Sequence, residues 1–373
     1  MEQIDIFDMM PEDEAKKYKP IKSTDWKWTM ANDYPKEKNG LKVFSCFACG
    51  GGSTMGYKLA GCEVIGCCEI DKKMNDVYVK NHHAKYNYLM DIRKFNEIPN
   101  EDLPEELFNL DILDGSPPCT TFSMAGDREE SWGKKKKFRD GQAEQTLDDL
   151  SFVFIDTVAK LKPKVVIMEN VDGILLGEAI TYVQRIYKKF KDIGYSVKHY
   201  LLKGEYMGVP QTRHRVFFVA TRLDFDFDDL DLNFNYEPIT YGEIKSGKGK
   251  TVTAEKIKHY LSQARYGEES LQFACERETG KQNYFNEKII YDNKVLNTIR
   301  ACMPSYYRWG QFQTISAQDI IYSQTFPCDY NFMPDTLDNI CYICGMSVPP
   351  IMIKRIVTRL IESGIFDYKI KEK

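Results

Sequence analysis

Two consecutive prolines, Pro117 and Pro118, cut off an aliphatic run at residues 110–113. The run reads as a buried strand. Prolines lack a backbone donor and hold φ at about −65°, so pairing cannot continue past them. The segment beyond them is stiff, and it opens with Cys119. A cysteine just beyond the carboxyl end of a parallel strand lies where open α/β sheets carry their sites. A thiolate there can attack an electron-poor carbon when its surroundings activate it or its target. For Pro-Pro-Cys taken alone, a small buried hydrophobe is the plain alternative.

The flanking segments alternate between strand and helix signals. Residues 41–47 are apolar, then come Gly50, Gly51 and Gly52, with Ser53 and Thr54 placed to cap a helix reaching Ala60. Residues 62–70 read as a strand, 73–81 as a helix, 88–92 as a short strand and 110–115 as the strand already described. Leu147, Leu150, Phe154, Val158 and Leu161 recur at helical spacing until Lys162-Pro163. Residues 165–168 form another strand, ending at Glu169-Asn170. Ile180, Val183, Ile186, Tyr187 and Phe190 mark a helix with Gly194 past its end, and 215–221 a strand. This alternation predicts an α/β fold with a doubly wound, mostly parallel sheet.

The pattern breaks near residue 222. Residues 224–231 are acidic, and 240–295 are rich in Lys, Gly, Gln and Tyr without a clear period. Regular signals return near Val295, and the chain closes with a helix over 349–363. The expected division is an N-terminal extension (1–40), a main domain (41–222 plus 295–373) and a second, smaller irregular domain (223–294).

The 373 residues are 43% hydrophobic, enough for a substantial core. A net charge of −4 excludes a uniformly basic nucleic-acid protein, so any polyanion contact must come from local patches. There is no 18-residue apolar run, so no membrane span is expected. The acidic N-terminus lacks a signal-peptide core, and a cytoplasmic location is expected. The eleven cysteines are an odd number in a long chain, which points to reduced thiols. The two CxxC pairs, Cys46/Cys49 and Cys341/Cys344, are separated by nearly the whole chain, whereas zinc ribbons space such pairs by about 15–20 residues. No metal is expected.

The glycine run joins strand to helix, where the backbone can approach a ligand and free N–H groups face an anion. About 20 residues on, Glu69 ends the next strand, a place from which a carboxylate accepts hydrogen bonds from ribose hydroxyls. Together these point to an adenosine-containing cofactor, although the GxGxxG spacing of dinucleotide folds is missing. Glu169-Asn170-Val171, Gln211-Thr212-Arg213-His214-Arg215 and Gly345-Met346-Ser347-Val348-Pro349-Pro350 are each weak alone.

In this order, with FACGGG first and Pro-Pro-Cys between, these motifs resemble those of the DNA cytosine-5 methyltransferases. The resemblance covers residues 41–221 and 295–364. It implies a Rossmann-like fold using S-adenosyl-L-methionine to methylate C5 of a flipped-out cytosine in a specific duplex DNA sequence. Cys119 would add to C6, making C5 nucleophilic. Glu169 would donate a proton toward N3, and Arg215, with Arg213, would fix the base and balance charge. Phe47 would stack near the adenine, while Ala48, Gly50, Gly51 and Gly52 would approach the methionyl part. Glu69 would hold the ribose, Asp91 the adenine amine, and Ile70 and Ile92 the ring faces. Pro118 and Leu150 would line the pocket, and Ser347 and Val348 would close it. The chain departs from the family at Ser45, where an acid usually ends the first strand. It departs also at Cys49 for glycine, Thr120 for glutamine and Met346 for asparagine.

The same resemblance makes residues 123–141 a loop that closes over DNA. Ser123, Arg128, Lys134, Lys135, Lys136, Lys137 and Arg139 are its candidate contacts, with the cations facing phosphates. Residues 223–294 take the target-recognition place, with base-edge readers among the Lys, Arg, Gln and Asn side chains of 245–283. Tyr306-Tyr307-Arg308-Trp309 either touches DNA or packs a core. The expected partner is duplex DNA, the expected state a monomer, and a companion restriction endonuclease fits a modification enzyme. Two alternatives stay open: cytosine-5 methylation of RNA such as tRNA, and a catalytically silent relative that binds DNA or cofactor.

Overall fold

Strands β1 (Lys42–Cys46), β2 (Glu63–Glu69), β3 (Tyr86–Leu89), β4 (Ile112–Gly115), β5 (Val165–Val171), β6 (Tyr195–Lys203) and β7 (His214–Arg222) form one sheet in the order β3-β2-β1-β4-β5-β7-β6. Neighbours are parallel except β7, which runs antiparallel to both β5 and β6. This is the doubly wound, mostly parallel sheet expected from the alternation. The computed structural model describes residues 19–118, 135–136, 145–146, 149–177, 179–223, 230–284, 286–302 and 305–367.

The central strands are apolar on both faces, so adjacent residues enter different cores. Val43, Ile112, Ile167 and Phe217 join one core, and Phe44, Leu113, Val166 and Phe218 the other. Such double burial is why these strands read as continuous apolar runs rather than alternating ones. The strand order reverses between β1 and β4. The crevice beyond their carboxyl ends is therefore a topological switch point, the place where open α/β sheets take ligands.

Helices α1 (Gly52–Leu59), α2 (Lys72–His82), α3 (Ile92–Glu97), α4 (Leu150–Leu161) and α5 (Ala179–Asp192) connect the strands. Their ends reflect local chemistry. The Asp71 carboxylate accepts from the Lys73 and Met74 amides at the start of α2, and Lys162 adopts φ 51° before Pro163 ends α4. The expected strand over 88–92 lies earlier, at β3, because Asp91 instead caps α3 through the Arg93 amide at 2.8 Å. Leu147 lies outside the described residues.

Several elements are absent from the sequence reading. β6 is a half-exposed edge strand whose polar residues hide its period. Gly345-Met346 does not open the last helix but ends another, α9 (Leu337–Met346). The chain breaks at 347–349 and resumes as α10 (Pro350–Glu362). The apolar stretch Leu337–Glu362 is thus two helices, and its most apolar window is 72% buried.

Helices α6 (Glu255–Gln263) and α7 (Gln272–Thr279), with the short strands β8 (Lys288–Ile290) and β9 (Tyr306–Arg308), surround a separate small core that includes Tyr260, Leu271, Ile289 and Tyr291. Here the aromatic tetrapeptide proves structural. Tyr306 and Arg308 are buried, Arg308 pairs at 2.8 Å with Asp319 on helix α8 (Ala317–Ser323), and Trp309 stacks on Tyr291 with centroids 5.3 Å apart. At the other end, Trp28 is buried and its indole donates to the Thr325 carbonyl at 2.8 Å.

Candidate active site

The turn between β1 and α1 is tightly constrained. Phe47 and Cys49 take left-handed φ values of 55° and 47°, and Gly51 takes 84°. Left-handed backbone is unfavourable for residues with a Cβ, so tertiary contacts must hold it. Glu69 supplies one, its Oε2 accepting from the Cys49 amide at 2.8 Å while its Oε1 accepts from the Asp71 amide at 2.8 Å. Burial pushes the Glu69 carboxyl upward. Each oxygen keeps a further lone pair, so the carboxylate can still take a donor such as a ribose hydroxyl.

The glycines are required first by the protein itself. A Cβ on Gly51 would lie 2.1 Å from His82 Nε2, and one on Gly52 would lie 2.3 Å from the Val348 carbonyl oxygen. One on Gly50 would meet Ile343 and the Tyr330 hydroxyl. The Gly50 carbonyl accepts from Tyr330 Oη at 2.5 Å and from His82 Nε2 at 3.1 Å. A carbonyl cannot donate, so the proton of the ring sits on Nε2. Burial, then Lys58, pushes the His82 pKa down to about 3, which keeps the ring neutral. Ser347 and Val348, both buried, thus close on the turn from the break between α9 and α10. Ala48 and Ile92 are also buried. Phe47 and Ile70 are half-buried, and Asp91 is partly engaged as a cap.

The second half of the site forms at β4, β5 and β7. Pro118, half-buried, is the last described residue before Cys119. Cys119 itself lies outside the described residues, as do Ser123, Arg128, Lys134, Lys137 and Arg139. Lys135 and Lys136 pair as a strand with Gln145 and Thr146. Glu169, near the end of β5, meets Arg215 at the start of β7, with Arg215 Nε 2.8 Å from Glu169 Oε1. Arg215 Nη1 also donates to the His214 carbonyl at 2.7 Å. Leu150, buried, begins α4. Arg213 is placed differently from Arg215. It is buried, donating to the Ile299 and Gly345 carbonyls at 3.2 and 3.0 Å. Burial and Arg215 push its pKa down to about 9. These two bonds tie the approach to β7 to α9, and the buried Arg213 Nε has no partner among the described residues.

Between the two halves sits a residue the sequence reading passed over. Asp114 ends the apolar run of β4 and is only 2% exposed. It pairs in register with Ser45, whose hydroxyl donates to it at 2.6 Å, and Tyr57 Oη donates at 3.0 Å. The acid missing from the end of β1 is therefore present on the adjacent strand. A carboxylate near the end of a buried apolar strand, three residues before two prolines, was the available signal.

A doubly wound sheet with a glycine turn, a ribose-type carboxylate and a Pro-Pro exit at one switch point defines an S-adenosylmethionine-dependent methyltransferase fold. The C-5 cytosine-specific DNA methylase family model matches residues 41–362. The chain belongs to that family. It is 32% identical over 211 residues to the Type II methyltransferase M.NgoPII of Neisseria gonorrhoeae, covering 56% of this chain and 54% of that one. It is 26% identical over 324 residues to M.HindV of Haemophilus influenzae, covering 86% and 96%. The chain spans about half the length of M.NgoPII and of several other relatives it matches. Among solved structures, a DNMT2 mutant of Spodoptera frugiperda superposes with a TM-score of 0.60 at 17% identity, covering 86% of this chain and all of that one. The Entamoeba histolytica methyltransferase EhMeth gives 0.58 at 13%, covering 87% and 99%.

Members of this family take their methyl group from S-adenosyl-L-methionine. The residues present fit it. Glu69 has acceptor capacity to spare, and the buried Asp114 carboxyl has no paired cation among the described residues.

Proposed function

We propose that this protein methylates C5 of cytosine in a specific duplex DNA sequence through a covalent adduct with Cys119. The observation that supports it most is the Glu169–Arg215 pair, which stands at the same edge of the sheet as the glycine turn and the Pro-Pro exit. Cys119 follows Pro118 directly in the sequence.

Bound S-adenosylmethionine supplies an electrophilic methyl group. The residues of the chain do the rest. The Cys119 thiolate forms a bond to C6, and the electron pair of the 5,6 double bond moves toward N3, to which Glu169 passes a proton. The guanidinium of Arg215 holds Glu169 and balances charge at that edge of the ring. C5, now enamine-like, takes the methyl group. Loss of the C5 proton to solvent, return of the N3 proton to Glu169 and departure of the thiolate from C6 then restore the aromatic ring. C6 cannot be reached inside a stacked duplex, so the cytosine must be flipped out. Arg213 positions the start of β7 rather than touching the base.

The relatives carry the names Type II methyltransferase and, for two phage proteins, Orphan methyltransferase. The first fits a companion restriction endonuclease, the second does not need one. We take the protein to act as a monomer, which its mass in solution will check.

The deciding experiment incubates the protein with duplex DNA, or with tRNA, and labelled S-adenosylmethionine, then maps 5-methylcytosine at base resolution. Methylation of one short DNA motif, abolished in Cys119→Ala, is expected. Transfer that persists in Cys119→Ala sinks the covalent mechanism. Label in tRNA alone moves the substrate to RNA, and DNA binding without transfer makes the protein a silent relative.

A further inference from the structure

We propose that Asp114 is the buried counter-charge for the positively charged methionyl end of S-adenosylmethionine, held in place by Ser45 and Tyr57. The cofactor carries a sulfonium and an α-ammonium there. The inference rests on the cofactor assignment above but not on the identity of the target base.

The geometry is that of an acceptor built before its ligand arrives. Asp114 sits at the carboxyl end of β4, at the switch point, beside the residue of β1 that leads into the glycine turn. Ser45 donates from β1 at 2.6 Å and Tyr57 from α1 at 3.0 Å, and the Ser53 hydroxyl on the first turn of α1 also supports the charge. Three hydroxyls prepared for an anion are a poor substitute for a cation, because a buried carboxylate without one is costly. The only charged group among the strongest influences on it, Glu169 on β5, opposes ionisation, and burial opposes it more. No described residue forms an ion pair with it. A cationic ligand is what this arrangement lacks.

The neighbours leave few other groups to titrate. Cys46 on β1, Tyr57 on α1 and Tyr78 on α2 all feel Asp114, and burial pushes each of them upward, so they stay neutral near pH 7. Asp114 itself is pushed up to about 7, first by burial. Glu169, Glu69, Asp71 and Asp91 are the other carboxyls around the site. In the free protein Asp114 is thus mostly protonated below neutral pH, and a cation that needs the carboxylate must displace that proton.

Calorimetric titration of the full chain with S-adenosylmethionine tests this between pH 5.5 and 7, where the cofactor's α-ammonium stays charged. The association constant is expected to rise about tenfold across the window, the proton linkage of one group titrating near its top. Asp114→Asn keeps the shape, with one of the two hydroxyls turned to accept from the new amide, and is expected to flatten that rise and to bind about tenfold more weakly at pH 7. Glu169→Gln is expected to keep the rise. Titrations at pH 6 in buffers of different ionisation enthalpy give a second readout on the wild type alone, with about one proton released per cofactor bound. S-adenosylhomocysteine lacks the sulfonium. A rise kept with it assigns the contact to the ammonium, and a rise that disappears assigns it to the sulfonium. A wild type that binds without pH dependence or proton release overturns the inference. So does a slope unchanged in Asp114→Asn, which would belong to Glu69. A wild type with the expected slope that methylates only RNA leaves this inference standing and removes the DNA reading.

Discussion

The ion pair between Arg215 and Glu169 fixes one carboxyl oxygen at 2.8 Å from a guanidinium that never loses its charge. That leaves the carboxyl's orientation settled before any base arrives. An amide in its place still hydrogen-bonds but delivers no proton. Glu169→Gln is therefore expected to lower turnover by about 100-fold or more while DNA binding in a gel-shift assay stays close to wild type. Wild-type turnover would mean that the proton comes from elsewhere. Glu169 and Arg215 read as candidates because each sits in a motif at one end of a buried strand. The different fate of Arg213 was not legible. Two arginines one residue apart read alike, and only the carbonyls of Ile299 and Gly345, distant in sequence, bury one and leave the other in the crevice.

Among the elements, the glycine turn shows how one motif serves packing and binding together. The break between α9 and α10 lies against Gly52, with no room for a methyl group. Gly52→Ala is expected to cost about 1–3 kcal/mol and to raise the KM for S-adenosylmethionine more than it lowers kcat. Unchanged KM with a lowered melting temperature would make the contact purely structural. Further along, the basic stretch Lys134–Lys137 is expected to neutralise phosphates. Replacing these lysines with glutamine should lower the slope of log K against log salt by about 0.9 for each phosphate left without its lysine. An unchanged slope places the DNA elsewhere. β6 and α9 escaped the sequence reading for different reasons. An edge strand half in water loses its apolar signature, and α9 ends in the very motif that resembles a helix start.

For the whole molecule, two buried groups set opposite pH dependences. His82 titrates near 6.5 when unfolded and at about 3 when folded. The folded chain binds fewer protons in between, so this group makes stability rise with pH from about 3 to 6.5. Asp114 moves the other way, from the ordinary carboxyl range up to about 7. The folded chain binds more protons there, so stability falls as pH rises from about 4 to 7 and then levels. Asp114→Asn should accordingly gain melting temperature relative to wild type across that window, by up to about 4 kcal/mol of stability. A difference independent of pH would show that Asp114 is not the titrating group.

The order of motifs and the strand–helix alternation, read from the sequence alone, determined the sheet, the family resemblance and most of the candidate site. Those signals are local: an apolar run, a glycine turn, a pair of prolines. The tertiary structure decided what local patterns cannot carry. It set which glycines face protein atoms, it turned Arg213 into a strut and the aromatic tetrapeptide into core, and it placed a carboxylate from β4 beside a serine from β1. Each of these depends on residues far apart in the chain meeting across a strand or a helix face, and no sequence window contains both partners.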